Sequence, residues 1–137
     1  MAGEKILVVD DEAPILYMVD RVLAKEGYVV KSTLSSQDAL GIVRKERFDL
    51  VIADMVMPGI NGLKLLRMVR GTCPDIATIM ISGHATLDLA ISSLRQGIQG
   101  FLVKPFTAHE LRAELKRVLR KRHLTQRKTD ENGSAQE

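Results

Sequence analysis

Three carboxylates, a hydroxyl and a lysine occupy equivalent places in this sequence, each just beyond a short apolar run. Asp10 and Asp11 follow KILVV, Asp54 follows LVIA, Ser82 follows IATIMI, and Lys104 follows residues 98–103. In the run before Asp54 no polar residue alternates with the apolar ones, the pattern of a strand buried on both faces. A charged residue ending such a strand before a turn sits at the lip of a sheet, where solvent and ligand reach it. Pro58, Gly59, Asn61 and Gly62 supply that turn, and a helical pattern starts at Leu63.

Brought together, these groups have a definite chemistry. Three close carboxylates repel one another, so they hold a proton or recruit a cation. A hard divalent ion with oxygen ligands fits, and Mg²⁺ is favoured over its neighbours (Mn²⁺ is the alternative), because it needs few protein ligands and keeps waters and a phosphate as the rest. The Lys104 ammonium suits a phosphate oxygen, the Ser82 hydroxyl can donate to a second, and backbone N–H groups near Val56 and Gly83 add more. Such a set points to phosphoryl transfer with a carboxylate as nucleophile.

The elements that must position them alternate strand and helix five times. Lys5–Val9 is the first strand; Pro14 suits a first helical turn, and Ile15, Met18, Val19 and Val22 recur at helical spacing up to Gly27. Residues 28–34 read as an edge-like second strand. Ser35 with Asp38 resembles a capping box ahead of Ala39, Leu40 and Val43. Leu65, Leu66 and Val69 follow the Asp54 strand, and Cys73-Pro74-Asp75 make a turn into the fourth strand. Leu87, Ala90, Ile91 and Leu94 mark a fourth helix closed by Gly97. Thr107 and Glu110 cap a fifth, with Leu111, Leu115, Val118 and Leu119 on one face.

This alternation predicts an α/β three-layer sandwich, a parallel five-stranded sheet covered by helices on both faces. Such sheets bind ligands beyond the carboxyl ends of their strands, where strand order reverses. The second strand ends on nothing reactive, so it belongs outside the first. Order 2-1-3-4-5 then sets the first and third strands side by side, and three carboxylates meet in one crevice.

Composition adds boundaries. The 137 residues, 45% hydrophobic and 27% charged, suit one domain with one core. No apolar stretch approaches the roughly 18–20 residues of a membrane span. Cys73 is the one cysteine, and no apolar signal core follows Met1, so a reducing cytoplasm is expected. The net charge of +3 is uneven: residues up to Leu111 carry 12 basic and 13 acidic groups, those from Arg112 onward 8 and 4. The basicity belongs to the last helix, where Arg112, Lys116, Arg117, Arg120 and Lys121 read as a solvated face, and direct nucleic acid binding is not expected. His84 reads as a loop residue, His109 and His123 as exposed helix residues. Residues 1–123 form the expected domain, and 124–137 a polar disordered tail or truncated linker.

The pieces VVDDE, the acceptor strand with its MPGING turn, ISGH and FLVKPF stand in the order and spacing of one family: the chain resembles a response-regulator receiver domain over about residues 4–122. The resemblance implies the flavodoxin-like (βα)5 fold and an aspartyl-phosphate switch, a phosphoacceptor rather than a turnover enzyme, with self-catalysed phosphoryl transfer and autodephosphorylation. Asp54 would take the phosphoryl group from a sensor histidine kinase or phosphotransfer domain. Asp10 and Asp11 would hold Mg²⁺ with Asp54 and the Val56 carbonyl; Lys104, Ser82, Val56 and Gly83 would bind the phosphoryl oxygens. Ser82 and Phe101 would switch, although a strand aromatic alone reads as core. Lys104–Pro105 would be a cis peptide. A downstream output domain or protein would read the face of the fourth helix, fifth strand and fifth helix, and a phosphorylation-dependent homodimer is compatible with it. Glu114 stands where the winged-helix regulators tend to have Arg, so their charged dimer interface is not expected. Val56 occupies the place where an aspartyl phosphohydrolase needs an acid/base carboxylate, which disfavours that rival; an adaptor domain that is never phosphorylated is the other.

Overall fold

The structure, a computed structural model, describes the backbone of residues 3–83 and 87–136 and the side chains of residues 3–83 and 88–122. Five strands, β1 (Lys5–Val9), β2 (Val29–Thr33), β3 (Leu50–Asp54), β4 (Ala77–Ser82) and β5 (Gly100–Val103), alternate with α1 (Ala13–Lys25), α2 (Ser36–Lys45), α3 (Gly62–Thr72), α4 (Leu87–Arg95) and α5 (Ala108–Gln136). All pairings are parallel, in the order β2-β1-β3-β4-β5. β1 lies against β3 with Val9 opposite Ala53, so Asp10 and Asp54 leave the sheet from neighbouring strands.

Both faces of the sheet are covered because side chains alternate along each strand. Ile6, Val8, Leu50, Ile52, Ile79 and Ile81 pack with Leu16, Val19 and Leu23 of α1 and with Leu111, Leu115 and Val118 of α5. On the other face Leu7, Val9, Val51 and Met80 meet Leu40 and Val43 of α2 and Leu65, Leu66 and Val69 of α3. Fully burying one such side chain contributes roughly 1.5–3 kcal/mol, which holds the strand ends in register while their terminal residues stay polar.

Local signals set the helix starts. Ser35 accepts from the Asp38 N–H and Asn61 from the Lys64 N–H. Thr107 and Glu110 bond reciprocally, each side chain to the other's N–H. Lys104–Pro105 is cis. At the end of the sheet opposite the carboxylates, Arg122 pairs with Asp49 at 3.0 Å and donates to the Asp75 carbonyl, fixing α5 to the sheet. The α5 backbone continues as helix to Gln136, where the sequence reads a polar tail.

One expected stripe is only partly turned inward. The fourth helix exists, but Ile91 and Leu94 face outward, Ala90 is half-buried, and among the described side chains of the helix the buried one is Ser93. The Ser93 hydroxyl donates to the Leu89 carbonyl at 2.9 Å. Paired within its own helix, this small side chain can face Met80 of β4, its oxygen 3.8 Å from the sulfur. Periodicity locates a stripe but does not say which one meets the sheet.

Gly62 couples this scaffold to the third strand end. A Cβ there would stand 2.1 Å from the Asp54 carbonyl oxygen and 2.8 Å from Met55 Cα, both backbone atoms that cannot yield singly. Gly62→Ala is expected to destabilise the fold by about 2–4 kcal/mol in urea denaturation. Gly41→Ala, in mid-helix with nothing near its Cβ, should instead stabilise by about 0.5–1 kcal/mol. Equal effects would show that the close approach at Gly62 does not constrain the fold.

Candidate functional site

Each strand end delivers its residue to one crevice. Asp10 leaves β1 fully buried, Asp54 leaves β3 at 5% exposure and Ser82 leaves β4 at 1%. Lys104 leaves β5, its N–H held by the Ser82 carbonyl at 2.8 Å. The lysine side chain then runs back across the strand ends. Its Nζ stands 2.8 Å from Asp54 Oδ2, 3.1 Å from Asp10 Oδ2 and 2.8 Å from Glu12 Oε2.

Sequence reasoning expected Asp54 exposed at the lip of the sheet, and the structure corrects this. The carboxylate is nearly closed over, with the Lys104 arm on Oδ2 and the Val56 N–H donating to Oδ1 at 3.3 Å. Val56 itself is exposed, as is Gly83, beyond which His84 lies outside the described residues. His123 also lies outside them as a side chain, whereas His109 is exposed on α5 as expected.

The carboxylates that converge are not quite the expected ones. Oxygens of Asp10, Glu12 and Asp54 lie within 4.8 Å of one another. Asp11 is exposed and outside that triplet. Glu12, which sequence reasoning did not single out, reaches Lys104 from the start of α1; its place beside Asp11 in an acidic run carries no sign of which carboxylate does so.

Electrostatics in the crevice follow from burial. Burial pushes the Asp10 carboxyl up from 3.8 to about 6; the Glu12 N–H and Lys104 pull it down, and the Asp54 charge pushes it further up. Burial alone would lower the Lys104 ammonium, but the facing carboxylates of Asp54, Glu12 and Asp10 outweigh it and hold the group above its usual range. Asp10 Oδ2 is buried without a hydrogen-bond partner, its approach to Lys104 being an ion pair of poor hydrogen-bond geometry. An orphaned buried oxygen among oxygen donors suits a hard cation, so the residues fit a divalent ion.

Phe101, expected at a switch position, is half-buried on β5 and packs on the α2/α3 side of the core. Its N–H, on the free edge of the sheet, donates to Glu114 at 2.8 Å. Burial would raise the Glu114 carboxyl, but Arg117 and this N–H hold it below its ordinary value. Arg117 also donates to the Gln99 carbonyl, and Glu26 pairs with Arg112 and Lys116, so much of the basic face of α5 is used within the domain. A cavity of about 700 Å³ lies at the opposite end of the sheet, around Asp49, Cys73 and Arg122, remote from the crevice.

Comparison with known proteins follows the same lines. The sequence profile of the response regulator receiver domain matches residues 6–116. The chain is 36% identical over 119 residues to sporulation initiation phosphotransferase F of Bacillus subtilis, covering 87% of this chain and 96% of that protein. It is also 36% identical over 123 residues to the phosphate regulon transcriptional regulatory protein PhoB of Pseudomonas aeruginosa, covering 88% of this chain but 54% of that protein. A CheY-like response regulator receiver domain protein from Methanospirillum hungatei superposes with a TM-score of 0.84 at 28% identity, over 90% of this chain and 99% of that one.

The raised Asp10 carboxyl has a definite pH signature. The folded group keeps its proton to about pH 6 and the unfolded one to about 3.8, so this contribution to stability is full below about pH 4 and is lost as pH rises through 6. In chelator at pH 7, Asp10→Asn should stabilise by on the order of 1–3 kcal/mol, a gain that shrinks toward pH 4. Urea denaturation at both pH values checks this; a pH-independent difference contradicts it.

Proposed function

The chain belongs to the response regulator receiver domain family, and from that premise we propose that Asp54 is its phosphoacceptor and that the crevice around it drives a conformational switch. The observation that carries this reading is the 2.8 Å approach of Lys104 Nζ to Asp54 Oδ2, across 50 residues of chain, at the point where strand order reverses. An Asp54 oxygen attacks the phosphorus of a phosphohistidine on a sensor kinase or phosphotransfer domain. The P–N bond breaks, the imidazole leaves with the electron pair and takes up a proton, and an acyl phosphate P–O bond forms. Water later attacks the same phosphorus, releasing inorganic phosphate and restoring the carboxylate.

Lys104, Ser82 and the N–H groups of Val56 and Gly83 hold the phosphoryl oxygens. Asp10, Asp11, Asp54 and the Val56 carbonyl would hold a divalent ion, Mg²⁺ or Mn²⁺, which when bound would offset the charge of the phosphoryl oxygens. Asp10 Oδ2, buried with no hydrogen bond beyond its ion pair to Lys104, supports this assignment. Residues 1–123 act as the receiver unit, with 124–137 outside it.

A phosphoryl group brings about −1.5 to −2 charge and three acceptor oxygens. Each charge-assisted hydrogen bond it gains is worth roughly 1.5–3 kcal/mol. Two, from Ser82 and a loop N–H, shift an equilibrium about a hundredfold, at about 1.4 kcal/mol per decade. Ser82 moves inward and Phe101 follows, altering the face of α4, β5 and α5 that an output domain or protein reads. Ile91, Leu94 and Val103 expose apolar surface on that face. Among the described residues no helix is long and apolar enough to cross a membrane, and the domain works in the cytoplasm with its kinase.

Incubation with a small phosphodonor and Mg²⁺ tests the assignment. Wild type is expected to incorporate one phosphoryl group and Asp54→Ala none by intact mass. Equal incorporation by both removes Asp54 from the role.

A further inference from the structure

We infer that Glu12 is a member of the cation pocket in its own right: it tethers Lys104 and supplies the pocket's third converging carboxylate. The inference rests on the reading above and assigns a residue to that site. Glu12 stands at the N-cap of α1, with φ −103° and ψ 107°, yet its side chain makes no capping hydrogen bond. An acidic group at a helix start is ordinarily drawn to the free N–H groups there. This one reaches instead to Lys104, 92 residues away, with Oε2 2.8 Å from Nζ.

The turn that aims Glu12 also aims Asp10. The Glu12 N–H donates to Asp10 Oδ1 at 2.8 Å, locking residues 10–12 so that both carboxylates face the crevice. Asp10 Oδ2, fully buried and without a hydrogen-bond partner, stands beside the same lysine. That atom, independent of Glu12, marks the crevice as made for a further cation. Asp11, next in sequence, stays exposed and outside the converging set.

One ammonium faces three carboxylates, so the pocket keeps net negative charge after Lys104 is counted. Glu12 deepens the attraction for a divalent ion. It is also the partner Lys104 releases most readily. The Glu12 side chain is 57% exposed, against 7% for Asp54 and none for Asp10, and exposed ion pairs are weak. A phosphoryl oxygen arriving on Asp54 can therefore take the lysine N–H that Glu12 holds, while the glutamate charge remains near the ion.

Calorimetric titration of the full chain with Mg²⁺, without phosphodonor, tests this. Glu12→Gln is expected to weaken Mg²⁺ binding about three- to tenfold. Glu12→Asp, which keeps the charge on a shorter arm, should fall between it and wild type. Asp20→Asn makes the same charge change at an exposed position on α1, and its effect should stay within about twofold. Unchanged affinity in Glu12→Gln, or an equal loss in Asp20→Asn, overturns the role of Glu12 alone. A wild type that binds no Mg²⁺ overturns the metal site proposed above, and Glu12's part in it falls too.

Discussion

The ion cluster around Lys104 is the constraint on which the rest of the structure depends. Asp10 and Asp54 are both buried and adjacent, an arrangement that costs several kcal/mol per uncompensated charge. Its resident compensation is one ammonium, and the distances explain why that ammonium belongs to a lysine on β5. Parallel strands lie roughly 4.8 Å apart, so β5 is about 10 Å from β3 with β4 between them. Only a long arm with its charge at the tip spans that gap. Arginine would bring a broad fork where a point charge meets carboxylates from three directions.

The scaffold serves this geometry by making the strand ends immobile and the turns beyond them tight. Apolar layers on both faces fix the register of β1 against β3. Gly62 lets α3 start against the backbone of Asp54, and the Lys104 N–H on the Ser82 carbonyl sets the direction in which the lysine arm departs. At the far end, the Arg122 bonds to Asp49 and Asp75 anchor α5. The crevice therefore stands on a packed floor, while Ile91 and Leu94 of α4 are exposed.

Much of this was legible in the sequence because parallel-sheet chemistry gathers at strand ends. Asp10, Asp54, Ser82 and Lys104 each terminate a strand, and the strand order followed from which end carried nothing reactive. Less legible was whatever depends on side-chain direction. Asp11 and Glu12 are neighbours in an acidic run, both exposed, and only the turn closed by Asp10 brings the Glu12 carboxylate to Lys104. The closing over of Asp54 depends on a lysine 50 residues away and a loop N–H. The outward face of α4 depends on Ser93 satisfying its hydroxyl within its own helix. Periodicity carries none of these, since each is settled by a contact remote in sequence or by one local hydrogen bond.

Convergence on one pocket is most directly tested by backbone amide NMR during a Mg²⁺ titration of the unphosphorylated chain. A shared site requires the amides of Asp10, Asp11, Met55, Val56 and Lys104, from three separated segments, to shift together along one binding curve with a single dissociation constant. Independent curves for the β1 and β3 ends, or shifts confined to one of them, would contradict it.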